Sequence, residues 1–203
     1  LAATGLGDAF RLARSSTQGS RFVDFRGYLP SYNEPSAFVS APIRVGEQTI
    51  GVAVFQVPTD RFGATVVASA ARGESEELLL VGPDMLPRSD SRLAPDRHSV
   101  ANACRNPENA RLHLPEVEAT LRSNPRGTLT THDYREVEVL LAHRELDVFG
   151  ARWSILGKID TAEALRGATA IRAISADAQQ RFLTWSLVLL ILAGLAIVPC
   201  AFW

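Results

Sequence analysis

The last 22 residues, Phe182 to Trp203, carry no charged side chain. They read FLTWSLVLLILAGLAIVPCAFW. A helix of that length, rising about 1.5 Å per residue, spans the ~30 Å hydrocarbon core of a bilayer. The segment therefore predicts a transmembrane helix over 182–203. The residues before it read as an ordinary soluble domain, tied to a membrane through its C-terminal end.

The rest of the composition narrows the classes. A formal net charge of −1 gives no bulk attraction to nucleic acid or to anionic lipid. The basic residues are almost all Arg and are scattered, with Lys158 the only Lys. Cys104 lies in the soluble part and Cys200 in the apolar tail, so no internal disulfide of the soluble part is expected. The chain opens on Leu1 without the basic and apolar regions of a signal peptide. Both ends read as cuts in a longer polypeptide.

Periodicity lays out the elements. An amphipathic helix is expected over 2–15, with Leu6, Phe10, Leu12 and Ala13 near one face. A short strand follows over 21–26, with Phe22 and Asp24 on one side and Val23 and Phe25 on the other. The clearest hairpin joins 36–45 to 49–57 across Gly46-Glu47-Gln48. Its second strand, TIGVAVFQV, is apolar on both faces and predicts a central strand covered on both sides. Thr59 can cap a helix over 60–71. Strands are expected at 77–81 and 85–89 around a Gly82-Pro83-Asp84 turn. Weak helical character covers 95–114, and a helix over 115–123 has Pro115 in its first turn. Strands are expected over 127–131, 136–143 and 152–159. In these, Val137, Val139 and Leu141, and Trp153, Ile155 and Ile159, face inward. A final helix starts near Thr161 and has no proline before Pro199. Antiparallel runs of strands with helices at their ends predict an α+β fold.

No catalytic signature stands out. There is no phosphate-binding glycine loop and no nucleophile elbow. His98, His113, His132 and His143 lie in separate segments without metal-ligand spacing, so no metal and no cofactor is expected. His132-Asp133 resembles a base with its orienting carboxylate, but neighbours on a strand point to opposite faces. Two polar groups remain as candidates. Arg88-Ser89-Asp90-Ser91-Arg92 is either a network that ties a turn to the next segment, or part of a ligand pocket or an interdomain hinge, with Arg88 and Asp90 as its candidate residues. Asp24, Arg26, Tyr28, Tyr32 and Asn33 sit at a strand end and loop, where binding groups are often carried. They are either a solvated loop with anchoring tyrosines or a ligand-binding set.

Three stretches carry a family resemblance. DFRGYLPSYNEPSAFVSAPIRVGEQTIGVAVFQV (Asp24–Val57) is similar to the end of the membrane-distal module in double Cache sensor domains. LVGPDMLPRSDSR (Leu80–Arg92) resembles the start of their membrane-proximal module. DYREVEVL, FGARWSILGKID and AEAL, within Asp133–Leu165, resemble that module's last strands and exit helix. The run Arg72–Glu77 departs from the Gly-Glu-Thr-Gly-Glu-like pattern of the family, and residues 93–114 match it poorly.

The resemblance implies a PAS-like arrangement of antiparallel sheets with flanking helices. Residues 1–62 would be the C-terminal half of the distal module and 63–160 the proximal module. Residues 161–181 would form a signalling helix that continues into the membrane helix at 182–203. It further implies a bacterial receptor, with residues 1–181 outside the cytoplasmic membrane and a homodimeric assembly. A small ligand of the amino-acid or organic-acid class would bind it. The region present would not be an enzyme. A cytoplasmic effector beyond Trp203 would be a chemoreceptor signalling domain, a histidine kinase or a nucleotide cyclase. The ligand-binding candidates are then Asp24, Tyr28, Tyr32, Asn33, Arg88 and Asp90. Two rival classes are a membrane-anchored adhesion module without signalling output and an ectoenzyme. If the exit helix relays a signal, two glycines inserted near Ala173 uncouple sensing from output. Unchanged signalling by that variant counts against the relay.

Overall fold

The computed structural model describes residues 3–17, 19–59 and 73–166. The expected helix over 60–71 lies outside the described residues, as do the membrane span and all of the exit helix after 166. Among the described residues no helix is long and apolar enough to cross a membrane. The chain divides into two units, Leu1–Thr161 and Ala162–Trp203. Helix begins at 161 and is described to 166, with Glu163 and Arg166 at 3.8 Å.

The first unit opens with helix α1 (Gly5–Ser15), capped by Thr4, whose hydroxyl accepts from the Gly7 amide at 3.4 Å. Asp8 in the first turn and Arg14 in the last complement the helix dipole. The buried face is Gly5, Ala9 and Ala13. This corrects the expected face: Phe10 and Leu12 are each 45% exposed. The cause is close approach. A Cβ on Gly5 would lie 3.0 Å from the Phe38 ring, and the Ser40 hydroxyl donates to the Ala9 carbonyl at 2.9 Å. Only small side chains fit between this helix and the sheet beneath it.

That sheet holds β1 (Arg21–Tyr28), β2 (Glu34–Val45) and β3 (Gln48–Pro58), antiparallel in chain order. Gly46, at φ +58°, turns β2 into β3. A 3-10 turn at Leu29–Ser31 and left-handed Tyr32 and Asn33 join β1 to β2. The pairing of β1 with β2 shifts register between Val23 and Arg26. The shift breaks strict alternation, and Phe22 and Phe25 both reach the same indole, that of Trp153. The expected central strand is corrected as well. Among the described residues β3 pairs only with β2, and Ile50 and Phe55 are 60% and 69% exposed. An apolar run reports only that hydrophobic side chains are present. It does not report whether a neighbour covers each face.

The second sheet has the order β4-β7-β6-β5, from β4 (Glu77–Val81), β5 (Arg126–His132), β6 (Glu138–Val148) and β7 (Ala151–Asp160), all antiparallel. Between β4 and β5 run the short helices α2 (Val100–Arg105) and α3 (Pro107–Ala110), then α4 (Pro115–Ser123). The weak helical signal over 95–114 thus becomes two separate turns, with Pro107 opening the second. The expected strand over 85–89 shrinks to one bridge, Val81 to Pro87. The apolar core joins Leu79, Val81, Met85, Val117, Val139, Leu141 and Leu156 with Leu112 and Leu114. On β7 the core takes Leu156 and Lys158, not the expected Ile155 and Ile159. Trp153 is buried, but against β1 of the first sheet. Val137 lies in the β5–β6 turn and is 36% exposed.

The architecture is α+β, two antiparallel sheets with flanking helices. Leu156, 1% exposed at the centre of the second core, is a test of that packing. Leu156→Ala lowers unfolding free energy by about 2–5 kcal/mol in urea titration. Val45→Ala, at a site 66% exposed, changes it by less than about 0.5 kcal/mol.

Candidate functional site

The two sheets meet at one charged joint. Asp24, in the β1 bulge, and Arg88, just after the Gly82-Pro83-Asp84 turn, are 64 residues apart in sequence. The Arg88 Nε donates to both Asp24 oxygens, at 3.0 and 2.8 Å. Its Nη2 donates to Asp84 Oδ2 at 3.0 Å and its Nη1 to the Leu86 carbonyl at 2.9 Å. The Trp153 indole N–H points to Asp24 Oδ2 at 3.4 Å, and Phe22 and Phe25 flank the ring at 5.2 and 6.1 Å. Burial disfavours the Arg88 charge. The bonds to Asp84 and Asp24 outweigh it, and the pKa is raised. Gly82 makes the seat possible, because a Cβ there would stand 2.4 Å from Arg88 Nη2.

Two recesses flank the joint. One, of about 260 Å³, lies between β1 and α2 and is lined by Phe25, Gly27, Arg88 and Cys104. Burial pushes the Cys104 thiol pKa up, which disfavours the thiolate. The other, of about 410 Å³, lies between α1 and β1 and is lined by Asp8, Arg11, Phe22, Asp24 and Arg26. Asp8 accepts from Arg11 and, at 2.7 Å, from Arg26. Both signs of charge meet there at a half-open surface. A larger open trough, about 790 Å³, follows the outer face of the second sheet over Leu78, Leu140, Ala142, Gly157 and Ile159. Glu77 and Lys158 at its rim turn their charges to the opposite face, and its remaining polar side chains are Glu76, Thr128 and Thr130.

The sequence candidates fall in four places. Asp24 and Arg88 come together as described. Tyr28 is 8% exposed and packs edge-on against Phe38 at 5.1 Å, within the first core. Tyr32 is 95% exposed in the β1–β2 turn beside Asn33, whose side-chain oxygen lies over Gly27. Asp90 accepts from the Val100 amide at 2.8 Å, at the start of α2. The rest of the 88–92 cluster is knitted to β4: Ser89 accepts from the Leu80 amide at 2.9 Å, and Arg92 donates to the carbonyls of Gly73, Glu74 and Glu76. Asp8 and Arg11 escaped the sequence reading because α1 was read only for its apolar face.

Sequence reasoning also missed a buried ionic network behind the second sheet. Lys158, 3% exposed, pairs with Glu77 at 3.0 Å and with Asp133. Glu77 accepts from Ser91 at 2.6 Å, from the Arg92 amide at 2.8 Å and from Tyr134 at 2.5 Å. Lys158 lies 4.2 Å above the Tyr134 ring. Arg135 binds Asp133 at 2.7 Å and also reaches Asp160. Burial alone would raise the Glu77 and Asp133 pKa values. Hydrogen bonds from Ser91 and Tyr134 to Glu77, and from Lys158 and Arg135 to Asp133, prevail and hold both below the ordinary range. The one signal in the sequence was that Lys158 is the chain's single lysine and follows the apolar run Ile155-Leu156. Among the described residues no three His, Cys, Asp or Glu side chains converge as a metal site requires.

Solved structures with similar folds include sensory domains. The periplasmic sensory domain of the Campylobacter jejuni chemoreceptor Tlp1 matches at TM-score 0.58 and 13% identity, over 81% of this chain and 57% of that one. The extracellular domain of mmHK1S-Z3, assigned as a histidine kinase, matches at 0.57 and 13%, over 80% and 56%. The ligand-binding domain of Pseudomonas fluorescens chemoreceptor CtaA, solved with L-leucine, matches at 0.50 and 14%, over 77% and 60%. The chain therefore spans less than two thirds of the length of these structures. No family model and no curated protein matches it. At such identities the likeness establishes the fold, and the PAS-like α+β expectation stands.

The joint has a direct test. Arg88→Ala leaves Asp24 and Asp84 facing a partly buried void and lowers stability by about 2–4 kcal/mol in urea titration. Arg88→Lys keeps the charge but loses the planar fork, and recovers less than half of that loss.

Proposed function

We propose that the chain is the extracytoplasmic ligand-sensing region of a bacterial transmembrane receptor, with small-molecule binding in its first module relayed to a cytoplasmic effector. The fold carries this reading, because structures of this two-sheet form include domains that bind amino acids and domains of chemoreceptors and histidine kinases. Residues 1–62 supply the second half of the distal module, 63–160 the proximal one, and 161–181 the signalling helix. The region itself has no enzymatic role. Its assembly is a homodimer at the inner membrane, held by the apolar segment 182–203.

The recess between α1 and β1 suits a zwitterionic or carboxylate ligand, since Asp8, Asp24, Arg11 and Arg26 place both charges around it. Asp24 belongs to that recess and to the joint at once. A ligand that competes for the Asp24 carboxylate would bias the Arg88 seat and so the second sheet. It shifts that equilibrium only by its differential affinity for the two packings.

Thermal unfolding of the full-length protein, measured against a panel of L-amino acids and organic acids, tests the proposal. A binder at a hundredfold excess over its dissociation constant adds about 2.7 kcal/mol. Arg26→Ala is expected to weaken that shift at least tenfold in ligand concentration. If no compound of either class shifts the unfolding midpoint, the adhesion-module alternative takes precedence.

A further inference from the structure

Two buried histidines have nowhere to put a second proton. His98, 1% exposed, lies in the loop before α2, with its Nδ1 at 2.9 Å from the Ala110 carbonyl. A carbonyl only accepts, so Nδ1 carries the hydrogen and Nε2 is the bare nitrogen. That Nε2 is buried without a hydrogen-bond partner. His143, 4% exposed on β6, has neither ring nitrogen bonded. Its ring covers Gly127 of β5, where a Cβ would stand 2.8 Å from Nε2.

The surroundings oppose a positive charge at both. The His98 ring lies 4.5 Å from that of Tyr134 and is placed among Arg97, Lys158 of β7 and Glu77 of β4. Glu77 is the one anion of these, and its oxygens are already taken by Ser91, the Arg92 amide, Tyr134 and Lys158. Across the strands His143 pairs with Gly127 and Leu156, and neither ionises. Lys158, the next residue on that face of β7, is held by Glu77 and Asp133. On α4, Glu116 accepts from Thr131, and Glu118 accepts from Arg111 and Arg122. Glu145, two residues along β6 from His143, is exposed, and neither His143 ring nitrogen is bonded to it, so no carboxylate is paired with either imidazole among the described residues. Burial lowers both pKa values, and at His98 it overrides the bond to Ala110.

We propose that His98 and His143 make the second sheet and its helices an acid-sensitive element, which loosens as pH falls below neutrality. The direction follows from linkage. A histidine kept neutral in the folded state takes its proton only on opening. Stability is therefore full above the unfolded value of about 6.5 and declines as pH drops below it. A group that refuses the proton entirely multiplies the unfolding constant by about ten between pH 7.5 and 5.5, and two such groups by about a hundred. Glu77 and Asp133, both held below the ordinary carboxylate range, titrate outside that window. The element is independent of whether the first sheet binds a ligand.

The test uses the full chain in mild detergent. Imidazole proton resonances are followed from pH 8 to 5, with the exposed His113 and His132 as references in the same spectrum. His98 and His143 are expected to titrate below both. In parallel, the urea unfolding constant is measured at pH 7.5 and 5.5. His98→Asn, which can still donate to Ala110, and His143→Phe are each expected to remove up to tenfold of the change. Buried histidines that titrate at or above the references overturn the proposal. So does a double variant that folds and keeps the whole change. If a variant fails to fold, the wild-type resonances decide.

Discussion

The charged contact that ties β1 of the first sheet to the turn after β4 of the second is the Arg88 guanidinium. Its planar fork is saturated on three sides, by Asp24 from β1, Asp84 from its own turn and the Leu86 carbonyl. The Trp153 ring, wedged between Phe22 and Phe25, lays an apolar wall against the Asp24 end of the joint. The arrangement is specific because a guanidinium meets its acceptors only in certain directions. Rotating one sheet against the other would break the bonds to Asp24 while leaving those to Asp84 and Leu86. The joint thus has a natural line of division, with the second sheet's turn keeping the arginine and the first sheet surrendering it.

The Glu77–Lys158–Asp133 network raises a different energetic question. Taking three charges out of water costs several kcal/mol each, and pairing repays it only when the remaining hydrogen-bonding capacity is filled. Here it is filled: Glu77 receives a serine, a tyrosine and an amide besides the lysine. Such a network adds little net stability over a well-packed apolar core. It does fix β4, β7 and the β5–β6 turn in one register, because any slip strands a buried charge. The second sheet is therefore determined more narrowly than the first, whose pairing rests on backbone ladders and a thin apolar core around Phe38.

Local chemistry was legible in the sequence and long-range chemistry was not. The hairpin over 36–57 announced itself by two apolar runs and a glycine turn, and α4 by Pro115 in its first turn. The alternation of Val139 and Leu141 placed the core face of β6. By contrast, the buried face of α1 was misread because its decisive residues are the small ones. Gly5 and Ala9 look inert until Phe38 and Ser40 are seen against them. The bulge in β1 moved Phe25 to the side of Phe22, which strict alternation forbids. Of the candidate site, Asp24 and Arg88 were both singled out, but in separate groups. Nothing local in a sequence says that two residues 64 positions apart share a bond. Glu77 and Lys158 were hidden for the same reason, each unremarkable without its partner.

The open side of β3 has a consequence for handling the molecule. Its backbone amides and carbonyls alternate along Gln48–Pro58 with a partner on one side only, among the described residues, and Ile50 and Phe55 stand beside them largely uncovered. A strand edge that carries apolar side chains and, among the described residues, unpaired backbone groups is a template for another chain. Two copies of this stretch can zip edge to edge, and the product extends rather than closes if each exposes a further edge. Pro58 blocks such pairing only at the strand's last residue. Among the described residues, the edge of β3 is therefore one on which another chain can pair, far from the charges that organise the second sheet.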